Sequence, residues 1–209
     1  MTTISSPMMP TDVRGGLHAP RVPPARRQLV SSAVLGMLIF IAVELMFFAG
    51  LISAFTIVKS SAVPGAWPPP GQPRLPLEVT GVNSLVLLAS GALAWFAWRA
   101  FRSGAPAPRA ARLQLGAAAL GAAFVVVQSV EWTRLMGEGL TMRASTYGSF
   151  FYMIVGAHAL HALAAIAALL WSWRRLTRGR LASSSFAAVL ALWTFVVALW
   201  PVLYVLVYL

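Results

Sequence analysis

Apolar residues run in five long blocks, at about 30–58, 79–101, 112–136, 147–173 and 184–208, separated by short stretches rich in Arg, Pro and Gly. Each block reaches the roughly 20 residues that a helix needs to cross a hydrocarbon core at 1.5 Å per residue. Lipid offers a backbone no water to bond, so each block must close its hydrogen bonds internally and predicts a transmembrane α-helix. The expected fold is all-α, a polytopic membrane bundle of five transmembrane helices. The fourth and fifth blocks are the plainest, whereas the first and third each enclose one Glu. Residues 1–28 break the pattern with Pro7, Pro10, Pro20, Pro23, Pro24 and Gly15-Gly16, and are expected to form a disordered cytoplasmic tail ahead of a membrane domain at 29–209. The first apolar run begins near Leu29, behind that polar stretch, and is too long for the core of a cleavable signal peptide.

Composition agrees. The chain is 59% hydrophobic and only 10% charged, against about 25% charged in soluble domains. Such a surface cannot be covered with polar groups and must be solvated by lipid. A net charge of +11 would suggest nucleic acid in a soluble protein. Here the arginines cluster between apolar blocks, so they read as orientation signals and no nucleic-acid partner is expected. Twelve basic residues fall in the N-terminal segment, the second-to-third loop and the fourth-to-fifth loop. Lys59, Arg74, Arg134 and Arg143 fall on the opposite side. The N-terminus is therefore expected in the cytoplasm and the C-terminus on the periplasmic face. The clusters also suit anionic headgroups, or an acidic partner subunit. Cysteine is absent, which excludes disulfides, iron–sulfur clusters and a Cys-x-x-Cys-His haem attachment.

A charge at the bilayer centre costs about 2.5–3.5 kcal/mol on insertion scales, so each buried polar group needs a reason. Glu44 stands among Phe40, Ile41, Val43, Leu45, Met46 and Phe47, near mid-membrane. It reads either as a proton-exchanging or lipid-contacting carboxyl, or as a protonated Glu making one interhelical hydrogen bond. Glu131 lies late in the third block, with Arg134 at i+3 offering an ion pair on the same face. His158 and His161 are three apart on one face of the fourth block, at a depth similar to Glu44. Three readings stay open for them: metal or haem ligation, a proton relay with Glu44, and interhelical hydrogen bonds from neutral imidazoles. The surrounding Gly156, Ala157, Ala159, Ala162, Ala164 and Ala165 favour close helix packing. In the first periplasmic loop, Trp67 precedes Pro68, Pro69 and Pro70, a stiff polyproline-type segment whose Trp suits the membrane interface. These residues alone fit a transporter, a b-type cytochrome or an accessory subunit, although inverted repeats and broken half-helices are not evident.

Six ordered stretches carry a resemblance. They are Leu35 to Gly50 with its Gly-Met and Phe-Ile-x-x-Glu-x-x-Phe-Phe-x-Gly elements, Trp67-Pro68-Pro69 followed by Pro76-Leu77, and Asn83 to Gly91. Gln128-Ser129-Val130-Glu131-Trp132, Tyr147-Gly148-Ser149-Phe150-Phe151 and Gly156-Ala157-His158-Ala159-Leu160-His161 complete the set. Together they resemble subunit III of the haem-copper oxidases (cytochrome c oxidase and quinol oxidase types), including the accessory proteins of nitric oxide reductases.

That resemblance implies an accessory, non-redox subunit in the bacterial inner (cell) membrane, with no catalytic centre and no cofactor of its own. Haem and copper are expected in partner subunits. It implies packing against catalytic subunit I, with subunit II in the same complex, phospholipid bound in a cleft, and support of sustained turnover. Larger members have seven helices, whereas quinol-oxidase versions have five. Glu44 matches the family carboxyl associated with proton uptake and carbodiimide reactivity, and Glu131, His158 and His161 carry over as structural or lipid-site positions. The last helix departs from the family pattern: Thr194 and Val197 stand where His and Asp are usual, Ala187 where Glu is, and Thr146 replaces an acid before Tyr147. These losses put the proton-antenna role in doubt and keep a nitric oxide reductase accessory protein as the alternative.

Overall fold

The computed structural model describes residues 31–62, 67, 73 and 75–208. The expected tail at 1–28, together with Pro68 and Pro69, lies outside the described residues. Five helices follow in order: α1 (Ser32–Ser60), α2 (Leu77–Arg102), α3 (Ala107–Gly137), α4 (Thr146–Thr177) and α5 (Ser183–Leu203), the last continued by a π-helical stretch at Tyr204–Tyr208. All five are long and apolar enough to cross a membrane, and no strand occurs among the described residues. The chain is thus the all-α, multi-pass protein that its apolar blocks predict.

α2, α3 and α4 outrun their apolar blocks because polar turns extend them. The largest difference is in α3, which begins at Ala107 rather than near 112. Pro106 and Pro108 stand at its start, where a fixed φ suits the first turn and the missing N–H costs nothing. α2, α3 and α4 end alike, with Gly104, Gly139 and Gly179 at φ of 70°, 95° and 64°. In each, the residue after the glycine donates its N–H back to a carbonyl five residues earlier, as in Ala105 to Ala100, Leu140 to Leu135 and Arg180 to Arg175. This Schellman closure satisfies end carbonyls and turns the chain sharply into the next span. In α5, Pro201 deprives the ladder of a donor. The looser π pattern starts three residues later, as expected where a proline disturbs regular spacing.

The helices are stitched by polar side chains that reach across to another helix. Asn83 donates to the Phe124 carbonyl at 3.0 Å and Ser90 to the Ala117 carbonyl at 2.7 Å, both from α2 to α3. Trp200 on α5 donates to Ser84 at 2.8 Å, and Gln114 on α3 donates to Ser172 on α4 at 2.7 Å. Lipid tails give apolar helices no hydrophobic reason to associate, so such bonds and close packing hold the bundle. Glycines supply the packing. A Cβ on Gly121 would stand 2.5 Å from the Trp193 ring, and one on Gly91 would stand 3.0 Å from Val197.

α1 is the outlier. It touches α5 and α4 along one edge, with Phe48 and Phe55 as its buried residues. Leu35, Ile39, Phe40, Val43, Met46 and Ile57 are exposed. Trp67 ties its C-terminal end down: the ring meets Phe55 at 5.7 Å and Tyr147 of α4 at 5.3 Å, both edge-on.

Candidate functional site

Two of the polar residues expected near mid-membrane, Glu44 and His161, meet where α1 packs on α4. His161 Nε2 lies 3.0 Å from Glu44 Oε2, with the two side chains 16% and 17% exposed. Its other ring nitrogen, Nδ1, lies 2.8 Å from the Ala157 carbonyl one turn back. A carbonyl oxygen only accepts, so Nδ1 carries a hydrogen. The short Nε2 contact then needs one hydrogen of its own. Either Nε2 donates to a carboxylate, or a protonated Glu44 donates to the Nε2 lone pair. Both forms hold one proton on that line and leave the pair electrically neutral. Neutrality over the pair is what lets a carboxyl sit at this depth, where a lone charge is costly. Phe48 closes over the His161 ring edge-on at 5.5 Å.

His158 does not share this contact. A step of three residues rotates side chains by about 60° on a helix face, which turns His158 off the line to Glu44 and toward α3 and α5, with only Phe48 of α1 beside it. It is 1% exposed and lies against the Trp200 ring at 5.2 Å. Neither of its ring nitrogens has a hydrogen-bond partner among the described residues. The expectation that both imidazoles serve one relay or make interhelical bonds therefore divides: His161 bonds across to α1, and His158 does not. The pair does not suit haem either. Two ligands three apart on one helix cannot approach an iron from opposite sides, and His161 is already engaged on both nitrogens. No group of three or more His, Cys, Asp or Glu gathers among the described residues.

Glu131 is 6% exposed and pairs with Arg134 at 3.1 Å, whose side chain is 66% exposed and reaches outward. One turn below, Gln128 donates to the Tyr208 hydroxyl at 2.9 Å, joining α3 to the C-terminal π stretch. This bond is not apparent from the sequence, since nothing in the spacing of Gln128 and Tyr208 pairs them.

Two further features were not anticipated. Arg99, Arg102 and Arg175 each stack over a Trp four residues earlier, Trp95, Trp98 and Trp171, at 5.6, 5.7 and 4.8 Å. All three pairs lie near the C-terminal ends of α2 and α4, on one side of the bundle. The i,i+4 spacing of Trp and Arg is visible in the sequence and would have found them. The second feature is an apolar groove of about 570 Å³ between α1 and α5, lined by Leu38, Ile41, Leu45, Leu190, Phe195 and Leu199 among others. Thr194 and Ala187, two of the positions that depart from the family pattern, face this groove. Val197, the third, packs on Gly91.

Comparison with known proteins places the chain in a family. Residues 25–209 match the family Cytochrome c oxidase subunit III. The chain is 33% identical to the cytochrome c oxidase subunit 3 of Synechocystis sp. over 214 aligned positions, covering 100% of this chain and 86% of that protein. It is 32% identical to the corresponding subunit of Raphicerus campestris, covering 92% of this chain and 72% of that protein. For the subunit of Dasypus novemcinctus the identity is 33%, over 83% of this chain and 67% of the relative.

Proposed function

From the premise that the chain belongs to the cytochrome c oxidase subunit III family, we propose that it packs against the haem-bearing catalytic subunit I of a terminal oxidase and sustains its turnover. The observation that carries this reading is the Glu44–His161 pair, a neutral, proton-holding contact on a helix that is largely exposed. Haem and copper belong to the partner subunits, among them subunit II. This chain contributes a rigid helical wall, a bound proton and lipid contacts.

The α1–α5 groove, apolar along its length, fits a phospholipid acyl chain. The stacked Trp–Arg pairs are suited to the headgroup layer, where a Trp body stays in lipid while the guanidinium meets phosphate. They also mark the side richer in basic residues, which we assign to the cytoplasm of a bacterial cell. The chain has no cysteine, so single cysteines report sidedness without background. Ala144→Cys is expected to react with an impermeant maleimide in intact cells and Ser103→Cys only after lysis. The reverse pattern would overturn the orientation.

A second reading, the same fold serving a nitric oxide reductase, is favoured by one observation. Thr194 and Ala187 stand where an imidazole and an acid are usual in oxidase members, leaving the groove apolar, and Val197 replaces an acid beside Gly91. Affinity isolation in mild detergent tests the proposal as a whole: a haem-containing partner is expected to accompany the chain, and its substrate distinguishes the two readings.

A further inference from the structure

Three orphaned polar groups surround one small cavity between α3, α4 and α5. His158 has both ring nitrogens buried without a partner, and Gln128 Oε1 and Trp132 Nε1 are in the same condition among the described residues. The Tyr208 hydroxyl lies near Trp132 Nε1, but not in hydrogen-bonding geometry with it. All three residues line a single cavity with Phe124, Val155 and Trp200. Burying a polar group unsatisfied costs about 1–3 kcal/mol, and three such groups rarely share one cavity by chance.

The space available to the centre of a water-sized sphere is about 10 Å³. That is about the least that holds one water, which also needs two to four polar partners. The donor and acceptor count closes for three of the four orphaned atoms. Trp132 offers one N–H, Gln128 one carbonyl oxygen, and a neutral His158 one bare nitrogen. A single water would accept from Trp132 and donate to Gln128 and His158. The remaining His158 N–H is left among aromatic rings, Trp200 at 5.2 Å and Phe48 at 6.5 Å. The cavity lies close to the bundle surface, since Ser129 on the same lining is exposed and Trp132 only half-buried. A metal ion is a poorer fit, because Trp132 brings a donor and not a lone pair.

We propose that this cavity is a built site for one internal water, hydrogen-bonded to His158, Gln128 and Trp132, that joins α3 to α4. The site explains why a histidine with no protein partner is buried to 1% exposure in the bundle. It is separate from the Glu44–His161 pair, which faces α1.

The test is a density map of the full chain in lipid nanodiscs, at a resolution that shows ordered waters elsewhere in the protein. One peak within about 3.2 Å of Gln128 Oε1, Trp132 Nε1 and a His158 nitrogen is expected. No peak, or an acyl chain in its place, overturns the site. His158→Leu gives an independent reading by the sign of its effect on Tm. If the water is present, the substitution strands Gln128 and Trp132 and lowers Tm by several degrees. If the cavity is dry, it removes orphaned nitrogens and raises Tm, which would refute the proposal.

Discussion

Gly148→Ala is expected to collapse the yield of folded protein in the membrane, whereas Gly156→Ala, eight residues along the same helix, is expected to leave it unchanged. A Cβ on Gly148 would run into the backbone carbonyl of Thr141, and nothing lies within 4 Å of a Cβ on Gly156. A backbone group cannot rotate away as a side-chain tip can. The loop from Thr141 to Ser145 would have to move, and three hydrogen bonds move with it. Ser145 caps α4 by accepting from the Gly148 N–H at 3.0 Å, Ser149 donates to the Met142 carbonyl at 2.6 Å, and Tyr152 donates to the Leu140 carbonyl at 2.8 Å. Overpacking alone costs about 1–3 kcal/mol, and loss of an N-cap adds about 1 kcal/mol. Tyr147 would also lose its seat against Trp67, which ties down the C-terminal end of α1. Thermal unfolding of the detergent-solubilised variants measures the difference. Equal Tm values for the two would show that the α3–α4 loop is not clamped at Gly148.

Glu44→Ala is expected to leave assembly intact and to shorten, several-fold, the number of turnovers the oxidase completes before it inactivates. Glu44 is partly exposed at the edge of α1, so truncation opens no core cavity, but it leaves His161 Nε2 without its partner. Glu44→Gln separates two roles of the carboxyl. Its amide N–H can still donate to His161 Nε2 and keep the helices joined, yet it cannot release a proton. Both variants are therefore expected to inactivate early if the exchangeable proton matters. A Gln variant as durable as the wild type, beside a failing Ala variant, would reduce the pair to a structural hydrogen bond between α1 and α4.

The five spans were readable because solvation by lipid leaves a long apolar block for each, and the Pro and Gly residues between them mark the turns. The ends were less readable, since helices continue through charged turns outside the hydrocarbon, as α3 does from Ala107 to Arg112. Glu131 and Arg134 could be paired from spacing alone, because both lie on one helix. Glu44 and His161 could be matched only in depth. α1 is apolar on nearly every side, so no stripe distinguishes the face toward α4 from the face toward lipid. The same ambiguity hid the divergence of His158 from His161, because a shared helix face still spans enough angle to serve two different neighbours. Gly148 and Gly156 look alike in their motifs, and only the path of the preceding loop separates them. The stretch Asn83 to Gly91 could be recognised as a family pattern. Its physical content, two side chains clamped on α3 carbonyls and a glycine seated on Val197, required the packed structure.

The central claim is that this chain works as an accessory part of a haem-bearing oxidase, and the most direct measurement is its affinity isolation in mild detergent with an optical spectrum and mass spectrometry of the accompanying chains. The account predicts a haem spectrum in the eluate and a histidine-rich membrane subunit at a constant ratio to this chain. A colourless, solitary protein, reproduced under gentle solubilisation, would contradict it and mean that the subunit III fold serves a separate membrane role here.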